Sequence, residues 1–173
     1  VLTSSVTGQD RSSNRRTPLV NAVASTRAAV VNIRGRKSVR QESTLQVSTA
    51  QPKQVNGMGT GVVIDSRGYI LTNYHVVSEP RGNSFNDAFD YARIDVSPNA
   101  RSEPAAKYIA QFVVGDKRLD LALLKIVGDA KGNRLPAGAT YPFMPIGDSD
   151  DVLITEELQI FGYPGFSGRS LTA

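Results

Sequence analysis

The chain has 173 residues, of which 40% are hydrophobic and 21% are charged, and its formal net charge is +4 at pH 7. This composition predicts a soluble globular protein, and no apolar run approaches the roughly 18 residues that a membrane helix requires. The absence of cysteine excludes disulfides, thiolate nucleophiles and cysteine-based zinc sites.

The first seventeen residues predict a flexible basic lead-in. Residues 1–17 are polar, rich in serine, threonine and arginine, and carry no helix or strand period. The excess positive charge lies within the first forty residues, where Asp10 is the only acid. No aromatic residues are interleaved there for base stacking, so we expect a solvated extension and no nucleic-acid partner.

One helix and a series of short strands are predicted next. Thr17 followed by Pro18 is a helix start signal, and the apolar spacing that follows predicts a helix over 18–27. The segment 65–68 predicts a tight turn that joins two strands into a hairpin. β-Branched or alternating runs predict strands at 29–33, 57–64, 69–72, 91–96, 108–114 and 121–127.

The remaining segments are polar connections and two further apolar stretches. Polar composition predicts long loops at 34–56 and 78–90, and apolar stretches follow the last strand at 141–147 and 158–163. The segment 121–127 predicts a fully apolar, central strand. Six or seven short strands with one helix predict an all-β sandwich or a small barrel.

Two motifs carry residue types suited to acid–base chemistry. His75, the only histidine of the chain, follows the hairpin, and Asp120 stands directly before an apolar strand that predicts a buried carboxylate. A histidine exchanges protons near neutral pH, and a carboxylate can fix its tautomer and stabilise its charged form. A surface or core histidine without chemistry is the alternative. Asp116 is a rival carboxylate, but it lies in a charged turn, so Asp120 is the predicted partner.

The segments TNYHVV at 72–77 and DLALLKI at 120–126 resemble the His and Asp elements of trypsin-like serine proteases, most closely those of the HtrA/Deg group. The resemblance implies an all-β, chymotrypsin-like first β-barrel plus the opening of a second barrel, with a short N-terminal helix. It assigns residues 18–147 to the first barrel and 148–173 to the inter-barrel connection and the start of an incomplete second barrel. It further implies that His75 and Asp120 are catalytic.

The nucleophile of this family lies in a GNSGG-like loop, and the chain contains no such motif. The segment GFSGR at 165–169 has a superficial similarity to it. However, it directly follows LQIFGYP at 158–164, which resembles a family strand well upstream of the nucleophile. We therefore expect that Ser167 is not the nucleophile and that this chain is inactive alone.

The resemblance implies a serine endopeptidase that hydrolyses peptide bonds in unfolded or damaged proteins. It also implies polypeptide substrates, a homotrimer joined through 18–31, and a location in the periplasm or cell envelope. A non-catalytic pseudoprotease or peptide-binding module of the same fold is the alternative function. Nucleic-acid binding through the lead-in is a third hypothesis, which a steep salt dependence of binding would reveal.

No cofactor and no metal ion are expected. The glycines at 57, 59 and 61 could suggest a phosphate loop, but no Lys-Ser/Thr pair follows them, so close strand packing explains them better. The acidic segment 148–151 could suggest a calcium loop, but the spacing and the terminal glutamate of an EF-hand are absent. A solvated turn is predicted there instead.

Overall fold

The computed structural model describes residues 17–36, 58–78, 91–97, 102–160 and 162–163. Four of the features predicted above lie wholly or largely outside these ranges: the lead-in, the connection at 34–56, the loop at 78–90 and Ser167. In the part of the chain that is described, no helix is both long and apolar enough to cross a membrane.

The predicted helix is present as α1, Pro18–Thr26. The Thr17 hydroxyl accepts a hydrogen bond from the amide of Val20 at 3.2 Å, so Thr17 is the N-cap and Pro18 occupies the first turn, where a missing amide proton costs nothing. None of the helical side chains is buried, and Leu19 and Val20 are exposed to solvent. The predicted homotrimer contact through this segment remains a prediction.

Six strands form a closed barrel, which confirms the all-β prediction. They are β1 Val30–Arg36, β2 Met58–Asp65, β3 Tyr69–Thr72, β4 Tyr91–Val96, β5 Ala105–Asp116 and β6 Leu121–Asp129. The strands follow one another around the barrel in the order β1, β2, β3, β6, β5 and β4, and all neighbouring pairs are antiparallel. Within the described part of the chain, closure pairs each of these strands on both sides and so leaves none of them an edge for pairing with another chain.

One strand prediction is wrong in detail. β5 begins at Ala105, earlier than expected, and its pairing with β6 shifts register between Phe112 and Val114. Along β6, Ala122, Leu124 and Ile126 are buried in the core while the residues between them are more exposed. An antiparallel barrel strand has one face inside the barrel and one outside, so alternation replaces full burial.

The apolar segment at 141–147 is not a strand, and within the described part of 158–163 only Gly162 makes a strand-like bridge. Residues 141–144 instead run across the β2–β3 hairpin. The amide of Tyr141 donates to the carbonyl of Ser66 at 2.9 Å, and the amide of Met144 donates to the carbonyl of Val63 at 2.8 Å. The Tyr141 ring is buried and closes the end of the core beside Ile126.

The core lies inside the barrel, where Ile33, Ile70, Ile94 and Leu124 are almost completely buried. The glycines of β2 permit this packing. A Cβ atom at Gly59 would lie 2.5 Å from Cγ2 of Val76, and one at Gly61 would lie 2.6 Å from Cδ1 of Ile33. Real Cβ atoms do not approach other carbons this closely, because the contacts of a packed core lie near 3.5–4.0 Å. Close packing therefore accounts for these two glycines.

Residues 162–163 contact the outside of the barrel through Thr60 of β2. The Thr60 hydroxyl accepts a hydrogen bond from the amide of Tyr163 at 2.8 Å and donates to its carbonyl at 3.3 Å. A Cβ atom at Gly162 would lie 2.7 Å from the same hydroxyl oxygen, so glycine permits this approach. The Thr60 side chain therefore anchors residues 162–163 to the barrel.

The substitution Thr60→Val is expected to loosen this anchor without changing the shape of the barrel. Valine is close to threonine in shape but neither accepts from the Tyr163 amide nor donates to its carbonyl. Loss of the hydrogen bonds is expected to cost about 1 kcal/mol, which corresponds to roughly fivefold faster amide exchange at Tyr163. Hydrogen exchange followed by NMR measures this, with Thr26→Val in α1 as the matched control. Unchanged protection of the Tyr163 amide would contradict the assignment.

Candidate active site

The strand pairing explains why His75 and Asp120 meet although they are 45 residues apart. β3 ends at Thr72, and the chain then turns into a short 3₁₀ helix, Tyr74–Val76, that carries His75. β6 begins at Leu121, immediately after Asp120. Because β3 and β6 pair antiparallel with Thr72 opposite Ala122, the end of one strand and the start of the other lie at the same end of the barrel.

The two side chains are in direct contact. Nδ1 of His75 lies 2.7 Å from Oδ2 of Asp120, and the backbone amide of His75 donates to Oδ1 of the same carboxylate at 2.9 Å. A carboxylate accepts hydrogen bonds only, so this contact favours a neutral imidazole with its proton on Nδ1. The lone pair of Nε2 is then free to accept a proton, as a general base requires.

Asp120 has a left-handed backbone, with φ of 53°. Residues other than glycine adopt this conformation at a cost of about 1–2 kcal/mol, and aspartate and asparagine tolerate it best. Backbone contacts hold it in place, since the Asp120 carbonyl accepts the amide of Tyr74 at 3.1 Å. The positive φ occurs where the 117–120 turn enters β6.

Hydrogen bonds keep the Asp120 carboxylate ionised. The backbone amide of His75 is the main cause that lowers the pKa of Asp120 below its ordinary value, and the imidazole and the Asn73 amide lower it further. Partial desolvation of the carboxylate opposes them. An ionised Asp120 at neutral pH can orient the imidazole and stabilise its protonated form.

The prediction that Asp120 is buried is wrong. Its side chain is 44% exposed, and that of His75 is 71% exposed. The flanking residues Leu119 and Leu121 point into solvent and do not cover the carboxylate. The contact therefore lies on the open rim of the barrel, where hydrogen bonding rather than desolvation dominates the electrostatics.

The rival carboxylate, Asp116, stabilises a turn. Its Oδ1 atom accepts the amides of Arg118 and Leu119 at 2.7 and 3.1 Å, which stabilises the turn between β5 and β6. Asp148 behaves similarly, since its Oδ1 atom accepts the amide of Asp150 at 3.0 Å. Across the described ranges, no group of three or more histidine and acidic residues is arranged to hold a metal ion.

Sequence reasoning missed Asn73. Its Nδ2 atom lies 3.2 Å from both the carbonyl oxygen and Oδ2 of Asp120. The available signal was its position two residues before His75, at the end of β3, where a side chain can reach the carboxylate that also contacts the histidine. Asparagine is common in turns, however, so its presence there did not distinguish this role.

Comparison with known families shows which family the chain belongs to. The profile of the family described as trypsin-like peptidase domain matches residues 59–173, well over half of the chain, and the matched region contains both His75 and Asp120. The chain belongs to the trypsin-like peptidase family. Family membership and the closed six-stranded barrel agree with the chymotrypsin-like fold that the two motifs implied.

Curated relatives place this trypsin-like chain in the HtrA group. The probable periplasmic serine endoprotease DegP-like of Pseudomonas fulva is 31% identical over 137 residues, covering 79% of the chain and 23% of that protein. The magnetosome formation protease MamE of Paramagnetospirillum magneticum is 35% identical over 112 residues, covering 65% of the chain and 12% of that protein. The chain thus spans less than a quarter of the length of either relative.

A solved structure shares the fold of this trypsin-like chain. The HtrA-type protease AlgW, solved with a decapeptide, superposes with a TM-score of 0.57 and covers 90% of the chain and 43% of the AlgW chain. At 24% sequence identity, this similarity supports the fold alone. The division of the chain at residues 17 and 147 stays a prediction.

Proposed function

We propose that this chain carries the base and the acid of an HtrA-type serine endopeptidase, with His75 as the general base and Asp120 as its carboxylate partner. The observation that supports this most directly is the 2.7 Å contact between Nδ1 of His75 and Oδ2 of Asp120. The same arrangement of base and orienting carboxylate recurs in serine hydrolases of unrelated folds.

The chemistry follows from this geometry. A serine hydroxyl gives its proton to Nε2 of His75 while its oxygen attacks the peptide carbonyl carbon. The resulting imidazolium then donates that proton to the leaving amine, the peptide C–N bond breaks, and an acyl-enzyme remains. Water hydrolyses the ester with His75 again as the base. Asp120 accepts the Nδ1–H hydrogen bond throughout and stabilises the imidazolium without taking the proton itself.

The proposed substrates are unfolded or damaged polypeptides in the periplasm or cell envelope. The DegP-like relatives are named as probable periplasmic serine endoproteases, and the AlgW structure contains a decapeptide. The exposed imidazole on the barrel rim is accessible to a chain of this kind. We further propose that the nucleophile is not Ser167, because Phe166 and Arg169 replace the residues that a GNSGG-like turn requires.

A fluorophosphonate probe tests the proposed function, since it labels only an activated serine. We expect no labelling of this chain, and labelling of a longer protein in which the chain is followed by a GxSGG-like loop. Heat-denatured samples serve as the control for nonspecific reaction. Labelling of this chain that disappears in Ser167→Ala would show that the nucleophile is misassigned. An unlabelled longer protein with an intact loop would favour the non-catalytic module instead.

A further inference from the structure

We propose that Asn73 is a positioning residue: its carboxamide bridges the carbonyl and the carboxylate of Asp120 and so aligns Oδ2 with Nδ1 of His75. The proposal rests on the proposed function, because it assigns the alignment of the base to this residue. Asn73 does not contact the reacting atoms. It acts through Asp120.

The amide of Asn73 contacts Asp120 twice. Nδ2 lies 3.2 Å from the Asp120 carbonyl oxygen and 3.2 Å from its Oδ2 atom, and an amide nitrogen has two protons with which to make both bonds. One donor group therefore links the backbone of Asp120 to its own side chain. This link fixes the carboxylate relative to the left-handed backbone at φ of 53°.

Helix capping does not explain this side chain. Asn73 occupies the N-cap position of the 3₁₀ helix, where asparagine ordinarily accepts a backbone amide. Its side chain makes no such capping bond. Burial does not explain it either, because Asn73 is exposed.

Because the Asp120 carboxylate is exposed to solvent, it needs the Asn73 donor in addition to His75 to stay aligned. The Asp120 side chain is 44% exposed, so water competes for its oxygens, and the terminal torsion of an aspartate is broad. Apart from the imidazole that is to be aligned, His75 holds the carboxylate through its backbone amide, 2.9 Å from Oδ1, and that bond alone leaves the carboxylate plane able to rotate. The Asn73 donor on Oδ2 restricts this rotation and keeps Oδ2 opposite Nδ1.

The test uses the only histidine of the chain, because its ¹⁵N resonances need no assignment. The ¹⁵N shifts of the neutral imidazole report which ring nitrogen carries the proton. In Asn73→Ala we expect the ratio of the Nδ1–H to the Nε2–H tautomer to fall roughly fivefold. This is the change that losing one hydrogen bond of about 1 kcal/mol produces. We also expect the pKa of Asp120, measured by ¹³C NMR, to rise toward its ordinary value.

Asn133→Ala is the matched control. Nδ2 of Asn133 donates to Oδ2 of Asp129 at 2.8 Å, so this variant also removes an asparagine–aspartate hydrogen bond, here at the end of β6. It is expected to leave the His75 tautomer ratio unchanged. Asn73→Ser is the second variant, because serine is a good N-cap that preserves the turn but is too short to bridge Asp120. It should reproduce the loss seen in Asn73→Ala.

An unchanged tautomer ratio in folded Asn73→Ala or Asn73→Ser would overturn the proposal, as would an equal change in Asn133→Ala. In the longer protein, Asn73→Ala should lower kcat roughly fivefold with little change in KM. A shifted tautomer ratio in a longer protein that never labels with fluorophosphonate would leave Asn73 as a positioning residue while the proposed function fails. The two failures are therefore distinguishable.

Discussion

Asp120→Asn is expected to lower kcat of the longer peptidase about 10⁴-fold, the effect that this exchange has in serine proteases with the same arrangement. Asparagine has the shape of aspartate and tolerates the positive φ of 53°, so the fold is expected to persist. Its amide, however, cannot accept hydrogen bonds on both terminal atoms. In the parent protein, the Asp120 carboxylate accepts hydrogen bonds from the His75 amide, from Nδ1 of His75 and from the Asn73 amide. The asparagine variant cannot accept all three and therefore stabilises the wrong imidazole tautomer.

Steady-state hydrolysis of a chromogenic peptide measures this loss, with urea unfolding as a check on stability. Asp116→Asn is the control, because the Asp116 carboxylate contacts only the turn amides of Arg118 and Leu119 among its described partners. It should cost some stability and leave kcat within a few fold of the parent. Comparable activity losses in the two variants would contradict the assignment of Asp120 as the acid.

Gly61→Ala is expected to destabilise the barrel by roughly 1–3 kcal/mol, the usual cost of inserting a methyl group into a filled core. The added Cβ would lie 2.6 Å from Cδ1 of Ile33 and 2.7 Å from Cγ2 of Ile70. Both isoleucines are completely buried, so neither can swing into solvent to relieve the contact. In the absence of such contacts, replacing a strand glycine by alanine would favour folding by roughly 0.5–1 kcal/mol.

The midpoint of urea unfolding of this chain measures the effect. Gly147→Ala is the matched control, because among the described residues no heavy atom beyond its own and the adjacent residues lies within 4 Å of its added Cβ. Its midpoint should equal or exceed that of the parent. If Gly61→Ala unfolded at the same urea concentration as Gly147→Ala, the β2 glycines would not be required by the packing of the core.

The positions of the secondary structure elements were largely predictable from local chemistry. Thr17 and Pro18 fixed the start of α1, and the turn at 65–68 fixed the β2–β3 hairpin. β-Branched or alternating runs indicated all six strands, because β-branched side chains favour the extended backbone and alternation suits a strand with one buried face. The order TNYHVV and then DLALLKI indicated the family, which the match over 59–173 shows.

Other features were not predictable because they depend on what packs against a segment. The apolar stretch at 141–147 did not indicate its neighbours: the six strands close the barrel without it, and Tyr141 and Met144 bond to the hairpin. The segment 121–127 predicted a fully apolar, central strand, and closure of the barrel gives that strand, β6, one inner and one outer face. Apolar composition reports a tendency to be buried and does not say which face is covered.

The sequence by itself determined which residues could act as base and acid, because His75 is the only histidine and Asp120 directly precedes an apolar strand. Tertiary structure alone decided how they meet. The antiparallel pairing of β3 and β6 places their ends together, and the left-handed backbone of Asp120 allows Asn73 and His75 to hold its carboxylate. These contacts join residues more than forty positions apart, and no local pattern encodes the direction of a side chain or its exposure to water.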